Sequence, residues 1–120
     1  MNETIKGSLA GIKVIDFSTL LPGPLASLFL AETGAEVIKI EKPGIGDEMR
    51  EAYPKWNNQS VSFSMLNRGK KSLSLDLKNP ENLKILKPII KEADILIEQF
   101  RPGVMKRLGL DYETIKRINK

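Results

Sequence analysis

The sequence predicts an α/β fold, a Rossmann-like parallel sheet with crossover helices. Three observations carry that prediction. Short β-rich runs alternate with helical stretches along the chain. The spacing between successive runs leaves room for a helix rather than a hairpin turn. Three of the helical stretches open on Pro or Asn-Pro, residues suited to a first turn.

Residues 1–8 form a polar lead-in, and residues 9–120 carry the pattern. Ile12–Phe17 is a β-rich run bounded by Gly11 and Ser18 and reads as a strand. Leu20-Leu21-Pro22-Gly23-Pro24 breaks it, and a helix follows from Pro24 to about Glu32, closed by Gly34. That helix is apolar almost all round, which predicts burial on more than one side. Glu36–Glu41 is a second strand, ended by Lys42-Pro43-Gly44. Pro43–Asn58 has weak periodicity and reads as a long loop. Gln59–Leu66 fits a short helix, and Ser72–Leu77 alternates as a third strand. Asn79-Pro80 starts a helix with Leu83, Leu86 and Ile90 on one face, and Pro88 is expected to kink or shorten it. Asp94–Glu98 is a fourth strand, Pro102–Leu108 a short helix, and Asp111 opens a last helix through Ile118. The resulting order is β-α-β-loop-β-α-β-α-α.

The chain contains no Cys and no His. That excludes disulfides, thiol nucleophiles and Cys-based zinc sites within it. It also excludes His-based relays and His-ligated metals, and no metal site is expected. Residues 1–60 carry net −2, whereas residues 61–120 hold 13 basic and 7 acidic side chains, net +6. A basic half fits either an anionic partner or a solvated Lys-rich surface. No apolar run reaches the roughly 18 residues of a membrane span. Met1–Gly7 lacks the apolar stretch of a signal peptide. A cytoplasmic protein without a membrane partner is the expectation. A nucleic-acid role for Arg68–Lys71 is disfavoured, since the basic residues spread over several elements with few aromatics among them.

In an open parallel sheet, ligands bind outside the carboxyl ends of the strands. The loops there are Ser18–Pro24, Lys42–Asp47, Leu77–Pro80 and Gln99–Gly103. The first lacks both the GxGxxG and P-loop signatures, so a standard dinucleotide fingerprint is absent. Glu41-Lys42 offers a carboxylate for a ribose hydroxyl and a cation for a phosphate, and equally fits a charged turn. Arg68, Lys70 and Lys71 fit a phosphate clamp or plain surface charge. Phe100 and Arg101 follow an apolar strand and offer stacking faces for a base, or Phe100 belongs to the core. Asp16 and Asp76 fit a general base if buried, or a local bond to backbone N–H groups.

Several blocks, in order and in register, carry a family resemblance. They are Leu9–Ser18, Pro22-Gly23-Pro24, Gly34–Gly44, Asn67–Ser72, Leu75–Lys78 and Asp94–Met105. Together they resemble the amino-terminal region of class III CoA-transferases, the family of formyl-CoA transferase, carnitine CoA-transferase and α-methylacyl-CoA racemase. The resemblance implies the beginning of a Rossmann-like large domain, and interlocked homodimers. It implies coenzyme A or an acyl-CoA as substrate, and transfer of CoA between carboxylic acids through an aspartyl nucleophile. It places Leu21 and Pro22 beside the first turn of a CoA site, with Lys42 approaching the nucleotide. Leu75, Asp76, Leu77 and Lys78 would form the next wall. Gln99, Phe100, Arg101 and Arg107 would lie at the adenine and phosphate end. Gln99 stands where family members commonly have Asn. The family aspartate falls beyond Lys120, so the expectation is a truncated, catalytically incomplete fragment with no catalytic residue of its own. The alternatives are a fragment of a racemase-like enzyme and a stand-alone nucleotide-binding or regulatory module.

Overall fold

The computed structural model describes residues 6–120, so the first five residues of the expected lead-in lie outside it. The elements in chain order are β1 (Lys13–Asp16), α1 (Pro22–Glu32), β2 (Glu36–Glu41), β3 (Lys55–Trp56), β4 (Gln59–Ser60), α2 (Val61–Asn67), β5 (Lys71–Ser74), α3 (Pro80–Glu92), β6 (Ile95–Ile97), α4 (Val104–Arg107) and α5 (Tyr112–Ile118). The main sheet has the order β5-β2-β1-β6, with every pairing parallel. Val14 lies opposite Val37 and Ile95, and Ile40 opposite Leu73. The predicted fold class is therefore the observed one, a parallel sheet covered by helices on both faces.

Strand alternation sorts the side chains into two layers. Ile15, Phe17 and Ile40 turn to one face and form a core with Leu75, Leu86, Ile90 and Leu110. Leu86 and Ile90 of α3 are 0% and 1% exposed, and each such burial stabilises by about 1.5–3 kcal/mol. Val14 and Val37 turn to the other face and pack with Ala35, Leu30 and Ala31 of the α1 region. Further along that face towards the strand carboxyl ends lie Asp16, Lys39 and Glu41, and all three are buried. One layer is thus apolar throughout, and the other turns polar beneath the start of α1.

Four expectations need correction. Helix α1 buries one side only, through Pro24, Ser27 and Leu28. Its opposite side leaves Leu25 and Phe29 exposed, with Leu21 just before it, because no described element packs there. The stretch read as a loop over Pro43–Asn58 holds a 3-10 turn at Glu48–Glu51 and strand β3. Strand β3 pairs antiparallel with β4, and Asn57 and Asn58 take φ of 49° and 61° as the two-residue turn requires. The third sheet strand ends at Ser74, so Leu75, Asp76 and Leu77 lie past its carboxyl end. Helix α3 runs through Pro88 to Glu92. Lys84, whose carbonyl loses its partner to Pro88, is on the exposed side, where water can satisfy it.

Candidate functional site

A cavity of about 300 Å³ opens at the carboxyl ends of β1, β2 and β5. Its floor is apolar, from Phe17, Ile40, Leu75 and Leu77. Phe100, Val104 and Leu108 close one side. Thr19 and Gly46 close another, and Glu41, Lys42, Glu48, Asp76 and Lys78 bring charge of both signs to the cavity. An apolar floor with a few polar groups at its edge is the usual build of a small-molecule site.

Of the eleven residues assigned to CoA from the sequence, six line this cavity: Lys42, Leu75, Asp76, Leu77, Lys78 and Phe100. The other five do not. Leu21 and Pro22 stand exposed at the start of α1. Arg101 and Arg107 are exposed on and after the loop leading into α4. Gln99 works as a strut. Its Nε2 donates to the Thr19 carbonyl (2.6 Å) and its Oε1 accepts from the Gly23 N–H (3.0 Å), tying the end of β6 to the first turn. Gly23 is required there, since a Cβ would lie 2.1 Å from the Ser18 Cβ and 2.6 Å from Gln99 Oε1.

The cavity's Lys42 pairs with Glu48, so a ligand phosphate would compete with that carboxylate. Asp76 accepts from the Lys78 N–H (3.0 Å), the local turn bond that was the alternative to a general base. Asp16 accepts locally from the Ser18 N–H (2.8 Å) and hydroxyl, and across to α1 from the Ser27 hydroxyl. The Arg68–Lys71 cluster does not form a clamp. Arg68 pairs with Glu32, Lys71 pairs with Glu36, and Lys70 turns inward.

Behind the cavity lies a buried ionic network not identified from the sequence. Lys39 Nζ sits 2.9 Å from Asp47 Oδ2 and donates to the Ser18 carbonyl at 2.8 Å. Lys70 Nζ donates to the Pro24 carbonyl (2.8 Å) and to Asn67 Oδ1 (2.9 Å), with Asp16 Oδ2 at 3.7 Å. Burial pushes the Lys70 amine down to about 8, against the pull of Asp16. Glu41 receives two bonds from Arg50 (2.7 Å each), one from Ser72, and the Asp47 N–H. Burial works to raise the Glu41 carboxyl, but those donors outweigh it and hold it at about 2. Arg50 is fixed in turn by stacking on Phe63, 3.9 Å from the ring centre. The signal for this network was present in the alternation: Asp16, Lys39 and Glu41 share a face with Val14 and Val37.

Comparison with known proteins places this architecture. The description "CoA-transferase family III" matches residues 9–120. The chain belongs to CoA-transferase family III. Among curated relatives of this family III chain is an acetyl-CoA:oxalate CoA-transferase from Acetobacter aceti, 46% identical over 95% of the chain and 29% of the relative. A formyl-CoA:oxalate CoA-transferase from Bradyrhizobium diazoefficiens is 42% identical over 93% of the chain and 27% of its own length. A CaiB/BaiF family protein from Brucella suis superimposes with a TM-score of 0.88 at 35% identity, over 95% of this chain and 31% of that one. A hypothetical protein from Mycobacterium tuberculosis does so with a TM-score of 0.86 at 38% identity, over 94% of this chain and 31% of that one. The chain therefore spans about 30% of the length of these relatives. Among the described residues, no helix is long and apolar enough to cross a membrane, and no group of three or more carboxylates is placed to hold a metal ion.

Proposed function

We propose that this chain supplies the nucleotide-binding wall of a class III CoA-transferase and takes CoA or an acyl-CoA in the cavity at the strand ends. The observation that carries the proposal is the convergence of Lys42, Leu75–Lys78 and Phe100, three separate loops, on that one cavity. The apolar floor suits a base or the pantetheine arm, and Lys42 and Lys78 suit phosphates. The relatives named for oxalate point to small carboxylic acids as the groups between which CoA moves. In this reading residues 9–120 form the front of a larger α/β domain and contribute no nucleophile. The exposed apolar side of α1 supports a further part of it, that the working enzyme covers this surface in a dimer.

Calorimetric titration of CoA into the 120-residue protein tests the binding claim. Lys42→Ala is expected to weaken binding about tenfold, equivalent to about 1.4 kcal/mol. Lys91→Ala, on the exposed side of α3, is the control. Equal CoA affinity for wild type and Lys42→Ala refutes the site. Transferase turnover by the purified 120-residue protein refutes the claim that it contributes no nucleophile.

A further inference from the structure

One backbone feature beside the cavity stands outside what a binding wall alone requires. Leu20 has φ 65°, in the left-handed region that a bulky L-residue avoids. Such a conformation persists only where the surroundings over-determine it. Here they do. Asp47 Oδ1 accepts from the Leu20 N–H (3.1 Å) and also from the Met49 N–H (2.9 Å). Asp47 is completely buried, and its other oxygen faces Lys39, which also grips the Ser18 carbonyl two residues before Leu20. The N–H of Asp47 is itself held by Glu41 (3.0 Å). One carboxylate thus bolts together the loops after β1 and β2.

The placement of its neighbours gives this a purpose. Thr19, immediately before Leu20, lines the cavity, and so do Gly46 and Glu48, on either side of Asp47. We propose that Asp47 is a positioning residue: its bond to the Leu20 N–H sets the distance between the two loop walls, and so sets CoA affinity. This rests on the reading of the cavity as the CoA site. Two kinds of contact meet at Asp47, and they separate chemically. The bond from Leu20 needs an acceptor at Oδ1, whereas the pairing with Lys39 needs the charge.

Two substitutions exploit that difference. Asp47→Asn keeps an oxygen for Leu20 and loses the charge, while Asp47→Ala loses both. The expected result is a CoA dissociation constant at least tenfold weaker for Asp47→Ala and within threefold of wild type for Asp47→Asn, with both variants melting below wild type. A purely structural role moves the melting temperature of both variants and leaves the affinity of the folded protein unchanged. Wild-type affinity in folded Asp47→Ala overturns the proposal. So does an Asn variant that binds as weakly as the Ala variant. Amide hydrogen exchange on the wild-type protein covers the case in which Asp47→Ala does not fold. The Leu20 N–H, on an otherwise exposed residue, is expected to exchange at least 100-fold slower than a free amide, and exchange at the free rate overturns the proposal. Wild type that binds no CoA refutes the site reading instead, and the exchange rate still reports on the Asp47 anchor.

Discussion

Lys70→Met isolates the cost of keeping an ammonium in the buried layer. The Lys70 side chain is 2% exposed, and its amine is held down at about 8 from an ordinary 10.5. Between those values the folded chain has released a proton that the unfolded chain still binds, so stability rises with pH across the window. The gap is about 2.5 units, which at about 1.4 kcal/mol per unit gives up to about 3 kcal/mol. Methionine has a similar length and no charge, so the variant lacks this dependence. Urea unfolding of both proteins, followed by far-ultraviolet circular dichroism at several pH values from 7 to 10.5, reads the difference directly. Other groups titrate in both proteins and cancel in the comparison. The stability of wild type relative to Lys70→Met is expected to be flat up to about pH 8 and then to climb by about 2–3 kcal/mol. A difference that stays constant within about 0.5 kcal/mol over that range refutes the reasoning, because it means that Lys70 keeps its ordinary proton affinity in the fold.

Two further outcomes follow from the same layer. The Glu41 carboxyl is held at about 2, below its ordinary 4.5, so its contribution is complete above pH 4.5 and is lost as pH falls from there towards 2. Glu41→Gln is expected to be less stable than wild type at pH 7 and to lose less on acidification across that window, and parallel acid-unfolding curves would contradict this. Gly23→Ala forces a methyl against Ser18 and Gln99, and is expected to cost about 1–3 kcal/mol in chemical denaturation. A variant as stable as wild type would mean that the first turn moves more freely than its packing implies.

The parallel sheet was legible because its strands are β-rich and set apart by helix-length segments. The helix over Pro80–Glu92 was legible through Asn79, whose side chain accepts from the Glu81 N–H. The β3–β4 hairpin was not, because each strand has two residues and the turn is Asn-Asn rather than a glycine pair. Within the site, the cavity lining was legible where a loop leaves a strand end, as at Lys42 and Leu75–Lys78. The buried lysines were not. Lys39 looks like the solvent-facing position of an alternating strand, yet β2 is covered on both faces, so its polar positions are interior and need partners. Lys70 looks like one of three surface cations, and only the fold turns it away from Arg68 and Lys71. Gln99 showed its position but not its task, since the partners it joins are 76 and 80 residues away.

The register of β1 has a consequence for how the chain is made. Val14 pairs with Val37 on one side and with Ile95 on the other. Its second neighbour is thus 81 residues downstream. At about 5–20 residues per second, a ribosome takes on the order of 4–16 s to supply it. During that interval one edge of β1, an interior strand of the finished sheet, has no hydrogen-bonding partner. A nascent chain paused short of Ile95 presents that open edge to whatever is nearby. Codon-level slowing between α3 and β6 is therefore expected to lower the soluble yield more than the same slowing after α5.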